Sequence, residues 1–151
     1  MSLFQPLTNR QANVALTVLR VIAGATFIAH GAQKLFVFGF AGVSGAFAQM
    51  GVPAAGVMGP FIALLEFFGG IALVLGLLTR LASVGLAFDM LGAIMLVHGK
   101  NGFFLPSGME YALTLLLLSA AILIAGPGAY SLDAAFSRER RGFRLPRPLT
   151  A

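Results

Sequence analysis

Long apolar runs separated by short polar connections dominate the chain. Four segments of mainly apolar residues lie near residues 12–33, 55–78, 80–99 and 110–127. About 20 such residues let an α-helix cross the hydrocarbon core of a bilayer. The runs are continuously apolar and lack the alternation of a membrane β-strand. The pattern therefore predicts an all-α integral membrane protein built as a four-helix bundle.

Two shorter helices are expected outside these four. The connection between the first two helices is rich in glycine and phenylalanine, so a short helix around Val43–Met50 is expected at the outer interface. The stretch SLDAAFSRERR predicts a second interfacial helix, with its apolar side toward lipid and its arginines toward anionic headgroups. The predicted domains are a transmembrane part, residues 1–136, and a basic tail, residues 137–151.

Composition and charge agree with a membrane protein. Of 151 residues, 58% are hydrophobic and 10% charged, with mean hydropathy +0.92, whereas about a quarter of the residues of a soluble domain are charged. Arg10, Arg80 and five tail arginines flank one set of helix ends, and Lys34 and Lys100 flank the other. Because basic residues favour the cytoplasmic side, both termini are predicted to be cytoplasmic. Membrane lipid is the first partner expected, and no nucleic-acid partner is.

The absence of cysteine limits the chemistry available to the chain itself. Without cysteine there are no disulfides, no thiol catalysis and no iron–sulfur cluster held by thiolates. No HExxH motif or similar histidine–carboxylate spacing marks a zinc or iron site, so no metal is predicted. A redox role would need a bound organic cofactor or a partner protein.

Three ionisable residues fall inside the apolar runs. Such residues cost roughly 2.5–3.5 kcal/mol each at the bilayer centre, so they usually face the bundle interior or one another. On ideal helices, Arg20 and Asp89 lie about 12–14 Å from the cytoplasmic ends, with Glu66 about a turn further out. They are predicted to form one cluster. It is either an ion pair that fixes helix register or a polar site for a small molecule or proton.

A second group of ionisable residues is predicted toward the outer face. It comprises His30, Lys34, His98, Lys100 and Glu110. Histidine exchanges protons near neutral pH, so this group is a candidate for handling the protons of a bound quinone. The simpler interpretation is that each histidine ends its helix by bonding a loop carbonyl.

The two histidines follow similar stretches, GATFIAHG and GAIMLVHG. This similarity suggests two helical hairpins related by an axis along the membrane normal, with coincidence in apolar sequence as the alternative. Asp89 and His98 are nine residues apart, about 180° around an ideal helix, so they can line one narrow pocket only if the helix end unwinds.

The blocks LRVIAGATFIAHGAQKLF, LEFFGGIALVLGLLTRLAS and GPGAYSLDAAF, with the His98 segment leading to Glu110, resemble the DoxX family over about residues 14–136. The resemblance implies a small four-helix protein of the bacterial inner membrane. Members of the family are often described as oxidoreductase subunits, some linked to quinone-coupled thiosulfate oxidation and others to redox-defence partners.

Three functions are considered. The first is a membrane component of an oxidoreductase that binds a quinone or similar lipophilic redox molecule and works with other oxidoreductase subunits. Its predicted catalytic residues are His30, Glu66 and Glu110, and its predicted cofactor-binding residues are Arg20, His30, Lys34, Glu66, Asp89 and His98. The second is a small proton-coupled transporter or export factor, which would require a homodimer. The third is a membrane scaffold that recruits redox partners through its basic tail.

Overall fold

The computed structural model describes residues 8–142, with side chains described as far as residue 139. Within this part of the chain no strand occurs, and the all-α prediction is confirmed. The α-helices are α1 (Asn9–Ala32), α2 (Gly39–Gln49), α3 (Ala55–Leu75), α4 (Thr79–Ala93), α5 (Glu110–Ala125) and α6 (Leu132–Gly142).

Three helical stretches are long and apolar enough to cross a membrane. They are Asn9–Gln49, Ala55–Leu75 and Thr79–Asn101, and the apolar α5 is shorter, at 16 residues. The side chains that cover these helices on the outside are large and apolar, which a lipid environment tolerates and water does not. The chain is therefore a membrane protein with a helical bundle, as predicted.

The helices pack most extensively as two antiparallel pairs, α1 with α3 and α4 with α5. Glycine lets α1 and α3 approach each other closely. A Cβ atom on Gly70 would lie only 2.7 Å from the backbone oxygen of Gly24, so a larger residue would not fit there. Small residues at such positions let membrane helices approach each other closely. These pairs correspond to the two predicted hairpins, while the symmetry axis between them stays a prediction.

Both α1 and α4 end in a wider, π-helical turn, Gln33–Phe38 and Ile94–His98. After the first of these turns Gly39 has a φ of +66° and α2 begins, with its Ser44 lying against Gly59 of α3. The predicted short helix is thus present, although it begins earlier than Val43. Its place at the membrane interface stays a prediction. We call the end of the bundle with α2 and residues 99–109 the loop end.

The opposite end of the bundle, the tail end, holds α6. The predicted tail helix is present and runs continuously across residues 136–137. Two hydrogen bonds fix the chain where this helix starts: Asp133 N–H donates to Gly76 O at 2.9 Å, and Ala129 N–H donates to Asn13 Oδ1 at 2.7 Å. Arg144 and Arg147 of the predicted basic tail lie outside the described residues.

Candidate functional site

A cavity of about 590 Å³ lies between α1, α3, α4 and α5 near the loop end. Its size falls within the range of small-molecule sites, roughly 300–1,000 Å³. Most of the wall is apolar, and α2 with the connection to α3 contributes Phe47, Met50 and Val52. The polar and ionisable side chains that line it are His30, Lys34, Glu66, Asp89, His98 and Tyr111.

An ion pair between Lys34 and Glu66 crosses from α1's π-helical turn to α3. Glu66 is only 3% exposed, and the Lys34 side chain is half-buried. The predicted separation of Lys34, in the outer group, from Glu66, in the deeper one, is wrong. The long apolar stem of lysine lets its ammonium group reach along the helix to the acid.

Asp89 of α4 lies beside this pair. Its carboxyl group interacts electrostatically with both Glu66 and Lys34, and its Oδ2 atom is buried without a hydrogen-bond partner among residues 8–142. Lys34, Glu66 and Asp89, here called the cavity cluster, thus bring two carboxyl groups and one ammonium group together. Because uncompensated charge is costly at this depth, the cluster needs a proton or a further donor to balance it.

His30 and Tyr111 meet across α1 and α5. His30 Nε2 lies 3.3 Å from Tyr111 Oη, and the two rings are 5.8 Å apart. Both residues line the cavity and are also exposed. They therefore connect the cavity with the surface on this side of the bundle.

His98 lines the same cavity as Asp89, although the two are nine residues apart. The π-helical turn of residues 94–98 widens the helix and changes the direction of the side chains that follow. His98 Nδ1 lies 3.1 Å from Ser107 O, and since a carbonyl only accepts, Nδ1 is the donor. This is the carbonyl-bonding role that the simpler interpretation gave to histidine, combined with a place in the cavity wall.

Arg20 is not part of the cavity cluster, so the predicted grouping of Arg20 with Glu66 and Asp89 is wrong. Its Nη2 atom donates to Tyr130 O at 2.6 Å, and its acidic neighbour is Asp133. The reason is the stagger of the helices, since α1 begins several turns before the level at which α3 ends. Arg20 therefore lies beside Gly76 at the turn between α3 and α4, and the tail folds against it.

Asp133 is a residue that sequence reasoning does not single out. Its carboxylate accepts hydrogen bonds from Leu78 N at 2.8 Å and Thr79 N at 2.9 Å, and so caps the N-terminus of α4. Burial alone would raise its pKa, but the hydrogen bonds from Thr79 and Leu78, together with the charge of Arg20, hold the pKa below its usual value. We call Arg20, Tyr130 and Asp133 the tail cluster.

The predicted outer group is divided by the structure. Glu110 does not line the cavity, because its carboxylate accepts a hydrogen bond from Leu105 N at 3.0 Å, and Lys100 is exposed in the loop. His30, Lys34 and His98 do line the cavity. A catalytic role for Glu110 stays a prediction.

The described side chains offer no obvious metal centre. Between residues 8 and 139, no three histidine, aspartate or glutamate side chains lie close enough together to hold an ion. The chemistry that the cavity itself offers is hydrogen bonding, charge and proton exchange.

Comparison with known proteins gives the family. The DoxX family model matches residues 15–99. The chain is 33% identical over 146 residues to Uncharacterized membrane protein Rv3486 of Mycobacterium tuberculosis, covering 87% of each chain. It is 36% identical to Inner membrane protein YqjF of Escherichia coli (80% of this chain, 91% of the relative) and 33% identical to Putative oxidoreductase CatD of Bacillus subtilis (83% and 89%). No solved structure matches. This chain belongs to the DoxX family of membrane proteins.

Proposed function

We propose that this chain is the membrane component of an oxidoreductase system and binds a quinone or a similar lipophilic redox molecule in the cavity. The observation that carries the proposal is the cavity itself, which combines an apolar wall with the buried cavity cluster. The name of the Bacillus subtilis relative, a putative oxidoreductase, supports the reaction class.

The residues that line the cavity fit a quinone. A quinone head is flat and largely apolar, and it carries two carbonyl oxygens that accept hydrogen bonds. Aromatic and sulfur-containing side chains such as Phe27 and Met90 form the wall, and the Lys34 ammonium group supplies a donor at its polar part. The unpartnered Oδ2 of Asp89 offers a further polar contact to the hydroxyl group of a reduced head.

When bound, a quinone supplies two-electron, two-proton redox chemistry. The chain's own residues orient the head and handle protons. Glu66 is paired with Lys34, so Asp89 is the carboxyl group available to take up or release a proton. His30 and Tyr111 link this interior to the exposed side of the bundle.

Because no cysteine is present to carry electrons through thiol chemistry, we propose that the electrons come from another protein. We therefore propose that other oxidoreductase subunits associate with this chain. We place it in a bacterial inner membrane with the tail end facing the cytoplasm. The arginines at the tail end and the name of the Escherichia coli relative support this placement.

Mass spectrometry of co-extracted quinone tests the proposal. We expect the purified wild type to carry quinone, and Glu66→Gln and His30→Ala to lose most of it. Glu110→Gln and Gln33→Ala are matched controls, since Glu110 is held by a loop backbone and neither side chain lines the cavity. Thermal unfolding checks that each variant is folded. The proposal fails if no preparation contains quinone and added decylubiquinone does not raise the unfolding temperature of the wild type.

A further inference from the structure

The exposed rim of the cavity differs in chemistry from one side to the other. Side chains that line it and are exposed at the same time mark where it meets the surroundings. On α3 and α4 these are Phe61 and Phe88, the latter 69% exposed. On α1 and α5 they are His30 and Tyr111. Met50 and Leu96 also line the cavity and are exposed. We call the part of the rim at Phe61 and Phe88 the phenylalanine opening and the part at His30 and Tyr111 the His30–Tyr111 opening.

The phenylalanine opening lies at hydrocarbon depth. Phe61 is six residues from the loop end of α3, about 9 Å along the axis, and Phe88 is nine residues into α4, about 13 Å from its start. Both helices belong to the stretches that can cross a membrane. This opening therefore faces lipid tails rather than water.

The seam between α3 and α4 leaves room for such an opening. These helices are in less extensive contact than the pairs α1–α3 and α4–α5. Toward the tail end the seam is closed, since a Cβ atom on Gly69 would lie 3.3 Å from Leu86. Toward the loop end a Cβ atom on Gly92 would have nothing within 4 Å, so the space beside α4 is open.

The His30–Tyr111 opening lies near helix ends instead. Tyr111 is the second residue of α5, and His30 lies just before the π-helical turn that ends α1's span. Aromatic rings with a polar tip suit this level of a membrane, where one side of the ring is apolar and the other wet. The His30–Tyr111 opening is therefore suited to the passage of protons and water.

We propose that the molecule bound in the cavity is a membrane-resident amphipathic lipid whose apolar chain lies in the opening between Phe61 and Phe88. This inference rests on the proposed function and adds where the apolar chain of the ligand lies and in which direction it leaves the cavity. The head lies against the cavity cluster, and the chain stays in contact with bilayer lipid. A ligand arranged in this way exchanges with the lipid pool without passing through water, and its apolar chain stays clear of the side of the cavity at His30 and Tyr111.

Tryptophan fluorescence tests the direction of the chain. The protein contains no tryptophan, so a single introduced indole reports alone. Phe88→Trp places it at the opening between α3 and α4, and Tyr111→Trp at the other. The probes are decylubiquinone and the same molecule with bromine at the end of its decyl chain. Because bromine quenches at short range, the difference in quenching between the two probes locates the chain end.

We expect a saturable, bromine-dependent loss of fluorescence in Phe88→Trp and none in Tyr111→Trp. Leu81→Trp is the matched control, since Leu81 is also 69% exposed, lies two turns earlier on nearly the same face of α4 and does not line the cavity. It should show only the unsaturable quenching of probe dissolved in the micelle.

Two results would overturn the inference while leaving the cavity site intact: bromine-dependent quenching in Tyr111→Trp instead, or saturable quenching that bromine does not change in either variant. Absence of saturable quenching by both probes in both variants, with no rise in unfolding temperature, contradicts the proposed function itself.

Discussion

The tail cluster and the cavity cluster both bury charged side chains, but they differ in the space around them. Arg20, 1% exposed, is enclosed by Tyr130, Gly76 and Ser131. Glu66 and Asp89 are also buried, yet they border a cavity of about 590 Å³. Burial of a charge therefore does not by itself mark a binding site. Open volume beside the charge is what separates a ligand site from a structural contact.

The largest loss of stability is expected at the tail cluster, from Asp133→Ala. The change leaves the buried Arg20 without its acidic neighbour and removes the cap of α4, which together should cost about 3 kcal/mol of the free energy of unfolding. SDS-induced unfolding in mixed micelles measures it. Glu139→Ala, an exposed acid on the same helix, is the control and should change stability little. An equal loss in both variants would mean that Arg20 does not depend on Asp133.

The pH dependence of this loss follows from the lowered pKa of Asp133. The stabilisation is fully present above the pKa of an ordinary aspartate, about 3.9, and is lost as pH falls through the lowered value. The difference in stability between wild type and Asp133→Ala should therefore be constant from about pH 5 to 8 and shrink below about pH 4. A difference that already declined between pH 7 and 5 would assign the effect to another group.

A smaller loss is expected for Arg20→Met, which removes the charge together with its hydrogen bond to Tyr130. A hydrogen bond of a charged group contributes about 1.5–3 kcal/mol, and methionine retains much of the apolar packing. Arg80→Met, at an exposed arginine of α4, should cost less than about 0.5 kcal/mol. If Arg20→Met and Asp133→Ala show additive losses in the double variant, the tail cluster is not a coupled unit.

At the cavity cluster, Glu66→Gln should lower stability by only about 1 kcal/mol, because the half-buried Lys34 can turn its ammonium group toward water. Its effect on ligand binding should be much larger. Decylubiquinone should no longer raise the unfolding temperature of Glu66→Gln. A strong loss of stability with ligand binding retained would reverse the comparison and make this pair the structural one.

The smallest change in stability is expected for Gly92→Leu. Its side chain would enter open space in the cavity, and replacing glycine in a helix favours folding by up to about 1 kcal/mol. Ligand binding should nevertheless be lost because the space is filled. Gly45→Leu is the matched control, since Gly45 also has open space around its Cβ position but does not line the cavity. Retained binding in Gly92→Leu would place the ligand elsewhere.

The helices could be predicted from the sequence because hydrocarbon leaves the backbone few alternatives to a helix. Continuous apolar runs therefore identified the helices of the bundle, and the mixed apolar and basic stretch after Gly128 identified α6. Gly24, Gly31, Gly59 and Gly70 are all buried, as expected where small residues let membrane helices approach each other. These features depend on local composition and spacing.

The pairing of the charges could not be predicted in the same way. The Lys34–Glu66 pair depends on how far a lysine stem reaches between two helices, and the contact of Arg20 with Tyr130 depends on the stagger of α1 against α3. The π-helical turn before His98 depends on backbone hydrogen bonding that composition does not encode. Five of the six residues predicted to bind a cofactor line the cavity, whereas Arg20 does not, and Tyr111 was not predicted. A binding role for any of them stays a prediction.

Arg20 is synthesised 110 residues before the carbonyl oxygen that it binds. At about 5–20 residues per second, Tyr130 follows it from the ribosome roughly 5–20 seconds later. During this interval α1 can enter the bilayer while its arginine has no partner from the tail. The tail cluster therefore closes only after the last spanning helix has been made, which makes it a final step in the assembly of the bundle.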